Sequence, residues 1–314
     1  MDLRQGTLWM APMAGVTDRP FRHLVREQGC NLTFTEMISS KAIQFENRQT
    51  WKMLDLETQP TGVQLFGADP QVMAAAAQVA QAQGAALIDI NMGCPVPKVV
   101  AIGEGAALMR TPALAYSIVK AIVAAVSIPV TVKIRAGWDR QSVNAVEFAQ
   151  GLAQAGARVI IVHGRTREQM YSGFADWDII GQVVRAVSVP VMGNGDIWSG
   201  PDARAMLEQT SCRGVMLARG VLGNPWLFAE VAATLSGKTY QQPSIRERIE
   251  LALRHLRMEL EYREERTAVL FMRKHLAWYL KGMSGTAPLK RQIFTLTSPR
   301  QIEESLINFV RSAE

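Results

Sequence analysis

Over its first ~235 residues this 314-residue chain alternates short, apolar, β-branched runs with longer alanine-rich runs of helical period, and few folds tolerate that rhythm. The strand-like runs are Leu8–Ala11, Leu32–Glu36, Gly62–Phe66, Leu87–Asn91, Val130–Arg135, Val159–His163, Val189–Gly193 and Gly214–Ala218. Helical segments lie between them, among them Ile38–Asn47, Pro70–Gln83 and Ser142–Ala155, with Gly84 and Gly156 placed as helix stops. Strands separated by helices pair in parallel, and eight such units match a (β/α)8 TIM barrel in count and length. A doubly wound open sheet is the rival, because closure leaves no mark in a sequence. The missing GxGxxG after the first strand favours the barrel.

Past a polar, punctuated segment at residues 236–244 the pattern becomes helical, at Ile245–Tyr262, Thr267–Lys281 and Pro299–Val310, with Ser244 and Ser298 as N-caps and Gly282–Pro288 as a loop. The expected organisation is a catalytic barrel over 1–238 and an all-α domain over 239–314. Charge divides the chain in the same place. Residues 241–314 carry 13 basic against 9 acidic side chains, and no acid stands between Glu265 and Glu303. The whole chain has a formal charge of +6. That stretch, with Arg266, Arg273, Lys274, Lys281, Lys290, Arg291 and Arg300, is the candidate contact for a phosphate backbone. No apolar run reaches the ~18–20 residues of a membrane span, and three scattered cysteines give neither a disulfide framework nor a metal knuckle. The expectation is a cytoplasmic monomer with no membrane and no metal.

A barrel carries its site at the C-terminal strand ends. Those ends hold Pro12-Met13-Ala14-Gly15, Glu36, Gln64, Asn91 to Cys94, Lys133, Arg135, His163-Gly164-Arg165, Asn194-Gly195-Asp196 and Ala218-Arg219-Gly220. The small residues of the last two ends expose backbone N–H groups where barrels often bind phosphate. With Lys133 and Gln64, this suggests a phosphorylated cofactor with a polar ring edge. Flavin mononucleotide (FMN) and pyridoxal phosphate, the latter with Lys133 as Schiff-base amine, both fit the spacing. Cys94 stands between a glycine and a proline at the active end, and an ordinary thiol there is mostly protonated at neutral pH, which suits a proton donor. His163 is a candidate partner for it. Cys30 and Cys212 fit as buried hydrophobes.

Ala11-Pro12-Met13-Ala14-Gly15-Val16-Thr17-Asp18, Thr35-Glu36-Met37, Asp89-Ile90-Asn91-Met92-Gly93-Cys94-Pro95, Val132-Lys133-Ile134-Arg135-Ala136-Gly137-Trp138, His163-Gly164-Arg165-Thr166-Arg167 and Asn194-Gly195-Asp196-Ile197 together resemble the tRNA-dihydrouridine synthases. Arg273-Lys274-His275 with Trp278-Tyr279 is similar to the C-terminal domain of the bacterial B-type subgroup. The resemblance implies FMN as cofactor, NADPH or NADH as hydride donor, and tRNA as partner. It makes Cys94 the acid that protonates uracil C5 in a D-loop uridine. It places Pro12, Met13, Ala14, Gln64, Lys133, His163, Asn194, Gly195, Asp196, Ala218 and Arg219 around the flavin, and Asn91, Arg135 and Tyr171 at the uracil. Arg273 and Lys274 are expected to contact the tRNA. Two departures stand out: Val100-Ala101-Ile102-Gly103-Glu104 where the family has a lysine and an Asn-Gly pair, and Ala218 where it has glycine before the arginine.

Overall fold

The computed structural model describes residues 3–45, 47–56 and 60–313. Among them run nine strands: β1 (Thr7–Met10), β2 (Thr33–Phe34), β3 (Ile38–Ser39), β4 (Thr61–Phe66), β5 (Leu87–Met92), β6 (Val130–Arg135), β7 (Val159–His163), β8 (Val191–Asn194) and β9 (Gly214–Leu217). All pair in parallel, in the order β1-β9-β8-β7-β6-β5-β4-β2, with β3 on β4 just beyond β2, so that β2 and β3 share one stave. The ring closes between β1 and the segment entering β2: Met10 N–H donates to Leu32 O at 3.0 Å and Asn31 N–H to Leu8 O at 2.9 Å. This is an eight-stave barrel, and the open sheet is excluded. Trp9, Phe34, Ile161, Met192 and Met216 fill its interior, while a larger apolar layer joins the strands to the helices outside.

Local chemistry sets the helix ends. Asp69 accepts from Gln71 and Val72 N–H to start the Pro70–Ala82 helix, and Gly84 (φ +91°) turns the chain out of it. Two expectations need correction. The segment predicted as the helix Ile38–Asn47 begins as β3, because its backbone pairs with β4; only Ser40–Gln44 is helical, Arg48–Met53 forms a further helix, and Glu46 lies outside the described residues. The loop predicted at Gly282–Pro288 is half helix, since Thr286–Thr295 starts inside it. Pro288 reads as a breaker, yet it sits in the first turn, where no intrahelical N–H bond is lost.

Beyond residues 236–244, the helices Ile245–Tyr262, Glu265–Tyr279, Thr286–Thr295 and Pro299–Ala313 form a bundle with its own core. Ser244 and Glu247 make a capping box at its entrance. None of the described helices is long and apolar enough to cross a membrane.

The bundle docks on the first barrel helix, Arg19–Glu27, whose Leu24 belongs to the bundle core. A buried charge cluster fixes the seam: Arg263 donates to Asp18 at 2.6 Å and to Glu259 at 2.7 Å. Burial, reinforced by the Glu259 carboxylate, pushes Asp18 up to about 7. Asp18, His255 and Glu259 bring possible ligand atoms within 4.8 Å of one another, and the guanidinium supplies positive charge there.

A second seam lies after β9. Gly223 adopts φ +68°, and a Cβ on it would stand 2.2 Å from the Trp278 carbonyl carbon. Gly223→Ala is therefore expected to cost about 2–4 kcal/mol, from left-handed backbone strain plus overpacking, and to lower the thermal midpoint by several degrees. An unchanged midpoint would mean that the bundle is not fixed against this turn.

Candidate active site

The predicted strand-end residues converge. Pro12, Met13, Ala14, Gln64, Asn91, Cys94, Lys133, Arg135, His163, Tyr171, Asn194, Gly195, Asp196, Ala218 and Arg219 line one cavity of about 380 Å³ at the C-terminal mouth of the barrel. This lies in the size range of small-ligand and cofactor pockets. Arg273 and Lys274 are not in its wall. Arg273 turns into the bundle and donates to Leu296 O at 2.9 Å. Lys274 lies at the rim, its ammonium against the Gly15 backbone and 4.0 Å from the centre of the Phe271 ring.

A chain of amides and one carboxylate forms the floor. Asp89 is fully buried and accepts from Thr131 Oγ1 and from Gln64 Nε2, both at 2.6 Å. Gln64 Oε1 accepts from Asn91 Nδ2 at 2.8 Å, and Asn91 Oδ1 accepts from the Cys94 N–H at 2.8 Å. The carboxylate thus fixes which way the Gln64 amide faces, and Asn91 holds the cysteine loop. Burial pushes Asp89 up to about 6 against those hydrogen bonds. An acid between Ile88 and Ile90 in an apolar strand was a legible sign of a buried partner.

Lys133 is deep in the same cavity and donates to Asn194 Oδ1 at 2.9 Å, while Asn194 donates to Met216 O at 2.7 Å. Burial, with Arg135 alongside, lowers Lys133 to about 8. Arg135 donates to Gly93 O at 2.8 Å and bridges Thr166 O and Met170 O, so it joins the cysteine loop to the loop after β7. The Cys94 thiol is half-buried, and burial raises it above its ordinary value despite the Val96 N–H, Arg135, Lys133 and Lys98 nearby. It therefore stays protonated at neutral pH. Burial and four surrounding cations hold His163 far below its usual range, so its imidazole is neutral.

The turns after β8 and β9 build the next part of the wall. Gly195 takes φ +120°, and a Cβ there would run into Ala175 and His163. Arg219 is one-third exposed, 3.6 Å from Asp196, with its guanidinium 4.8 Å from the Tyr171 ring centre and 5.3 Å from that of Trp198. Trp198 and Trp278 also line the cavity; the sequence marks Trp278 only through its block with Arg273-Lys274-His275, and Trp198 not at all. Trp278 comes from the bundle, so the C-terminal helices complete the wall. At the departure after Val99, Ile102 is 61% exposed and Glu104 is buried.

A half-buried ammonium beside an oriented amide, in one cavity with glycine-rich turns and an arginine, suits a ligand with a polar ring edge and an anionic end. The donor set fits FMN. The first departure leaves no cation at Ile102, and the second keeps backbone N–H groups at Ala218.

The description "Dihydrouridine synthase (Dus)" matches residues 9–314 of the chain. The chain is 44% identical over 307 residues to "Probable tRNA-dihydrouridine synthase 1" of Synechocystis sp., covering 97% of this chain and 86% of that one. It is 40% identical to "Probable tRNA-dihydrouridine synthase" of Rickettsia bellii, covering 96% and 94%. It is 42% identical to "tRNA-dihydrouridine synthase B" of Pseudomonas putida, covering 90% and 84%. Among solved structures, histamine dehydrogenase from Rhizobium sp. 4-9 aligns over 80% of this chain and 49% of that one, with TM-score 0.57 and 15% identity, a likeness of fold alone.

Proposed function

Because the chain belongs to the dihydrouridine synthase family, we propose that it reduces the C5–C6 double bond of uridines in the tRNA D-loop, with FMN in the cavity described above and NADPH or NADH as the external donor. The observation that carries this reading is Cys94: a protonated thiol lining the same cavity as the half-buried Lys133 ammonium. Bound FMN would supply a hydride to C6. The protein's own share is binding, orientation and one proton. Lys133 and Gln64 would hold the pyrimidine edge of the flavin, and the turns at Gly195 and Arg219 its phosphate. Asn91 and Arg135 would orient the uracil, Tyr171 would stack on it, and Cys94 Sγ–H would give its proton to C5. The name of the Pseudomonas putida relative and the Arg273-Lys274-His275 block support the B-type subgroup.

Uracil in folded tRNA must be turned out of its stack, at a cost of a few kcal/mol that contacts elsewhere offset. Incubating the protein with unmodified tRNA and NADPH should add two hydrogens to specific uridines, read by nuclease digestion and mass spectrometry. Equal turnover of free uridine would point instead to a small-molecule flavin oxidoreductase on the same barrel.

The bundle is the proposed source of tRNA affinity. Lys274 and Lys281 lie on the helix and turn that bring Trp278 to the cavity, and Lys281 is exposed. Replacing both with Ala is expected to weaken tRNA binding and reduce its salt dependence by up to ~2 in slope. Arg273 is left out because its guanidinium serves the bundle. An unchanged slope would place the tRNA on another face.

A further inference from the structure

Arg165 follows β7 and is 2% exposed. Its guanidinium makes a two-pronged contact with Asp196, Nη1 to Oδ1 and Nη2 to Oδ2, each at 2.8 Å. Two further contacts reach back into the loop after β7, Nε donating to Ser172 O at 3.1 Å and Nη2 to Gly173 O at 2.6 Å, while Nη1 also lies 3.5 Å from His163 Nε2. Asp196 Oδ2 accepts in addition from the Ala175 N–H at 2.7 Å. The far end of the loop has no slack, since a Cβ on Gly164 would stand 2.3 Å from Asp176 O. Two non-glycine residues take left-handed backbone here, Met170 (φ 49°) in the loop and Asp196 (φ 56°) in the turn, so the surrounding contacts over-determine both. The loop tip carries Tyr171 and Phe174, 53% and 87% exposed.

We propose that Arg165 is a positioning residue that ties the Tyr171 loop to the Gly195–Asp196 turn, so that filling the phosphate end of the cavity orders the loop that meets the base. The inference rests on the FMN reading above. A phosphate brought to the Gly195 and Arg219 turns would meet the Asp196 carboxylate, and two anions repel. The Arg165 fork neutralises that charge, so Arg219, 3.6 Å from Asp196, is left to meet the phosphate. Arg219 already faces the Tyr171 ring, so fixing its guanidinium fixes the aromatic as well. The phosphate end thus reaches the loop by two routes, Arg219 to Tyr171 and Asp196 through Arg165 to residues 172–173. By thermodynamic reciprocity, a tRNA that orders the loop tightens FMN by the same factor. Lysine would keep the charge at position 165 but lose the planar fork.

The test is limited chymotrypsin cleavage at Tyr171 and Phe174 in the full chain, with and without saturating FMN, occupancy being read by flavin fluorescence. In the unaltered protein FMN is expected to slow loop cleavage about tenfold, within the usual range of coupling between sites. In Arg165→Lys at full FMN occupancy the slowing should fall below about twofold, and Asp196→Asn, which keeps the shape of the side chain, carries the same expectation should the lysine variant fold poorly. FMN protection as strong in both variants as in the unaltered protein, or none in the unaltered protein at full occupancy, overturns the proposal. Failure of the unaltered protein to bind FMN at all overturns the functional reading itself, and the coupling with it.

Discussion

Cys94→Ala is expected to leave flavin reduction by NADPH intact and to depress uridine reduction about 10²–10⁴-fold, the usual range for a lost general acid. Geometry is the reason for the split. Cys94 stands on the loop between β5 and the Pro97–Val100 helix, held by Asn91 through the loop N–H groups and by Arg135 through Gly93 O. None of those contacts uses the thiol, so its loss should leave the loop in place. Cys94→Ser keeps a hydroxyl of much higher pKa, a poor acid, and should recover little activity. Rapid-reaction measurement of the two half-reactions checks this. Equal loss in both would mean that the residue supports the site rather than the proton transfer.

Lys133→Met should produce the second large effect, on the other half-reaction. A preorganised cation where negative charge develops contributes about 10²–10³-fold, and the reduced flavin carries such charge beside the pyrimidine edge that Lys133 is proposed to hold. Asn194 aims the ammonium, and burial has already lowered its affinity for the proton to about 8. The sign of the pH dependence follows. The ammonium is present below about 8 and lost above it, so flavin reduction in the unaltered protein should fall as pH rises through that region. Bound ligand that favours the cation moves the fall upward. The Met variant should be slow at all pH values and lack the inflection. A variant that retains the same inflection would assign it to another group.

Much of the barrel was legible because its signals are local. A parallel strand buried on both faces reads as an apolar run, as in β7 (VIIVH), and a helix stop needs one glycine, as at Gly84 and Gly156. The weakest element, β2, has two residues and depends on partners far along the chain, and β3 overrode a helical pattern for the same reason. The candidate site was legible where chemistry shows as residue type at a strand end: Cys94, Lys133, Gln64 and Arg219. Arg273 and Lys274 look equivalent in the sequence and are not. One helix position between them turns the first into the bundle and the second to the cavity rim. Trp278 could be read either way from its neighbours, and the docking of the bundle against Gly223 puts it in the cavity wall.

What the sequence determines by itself is the set of elements, the parallel pairing they require and the residue types at the strand ends, because period, caps and glycines act within a few residues of themselves. Closure of the ring, the turn of Arg165 onto Asp196 and the arrival of a bundle side chain at the barrel mouth were decided only in three dimensions. Each depends on contacts between residues tens or hundreds of positions apart, and such contacts leave no period to read.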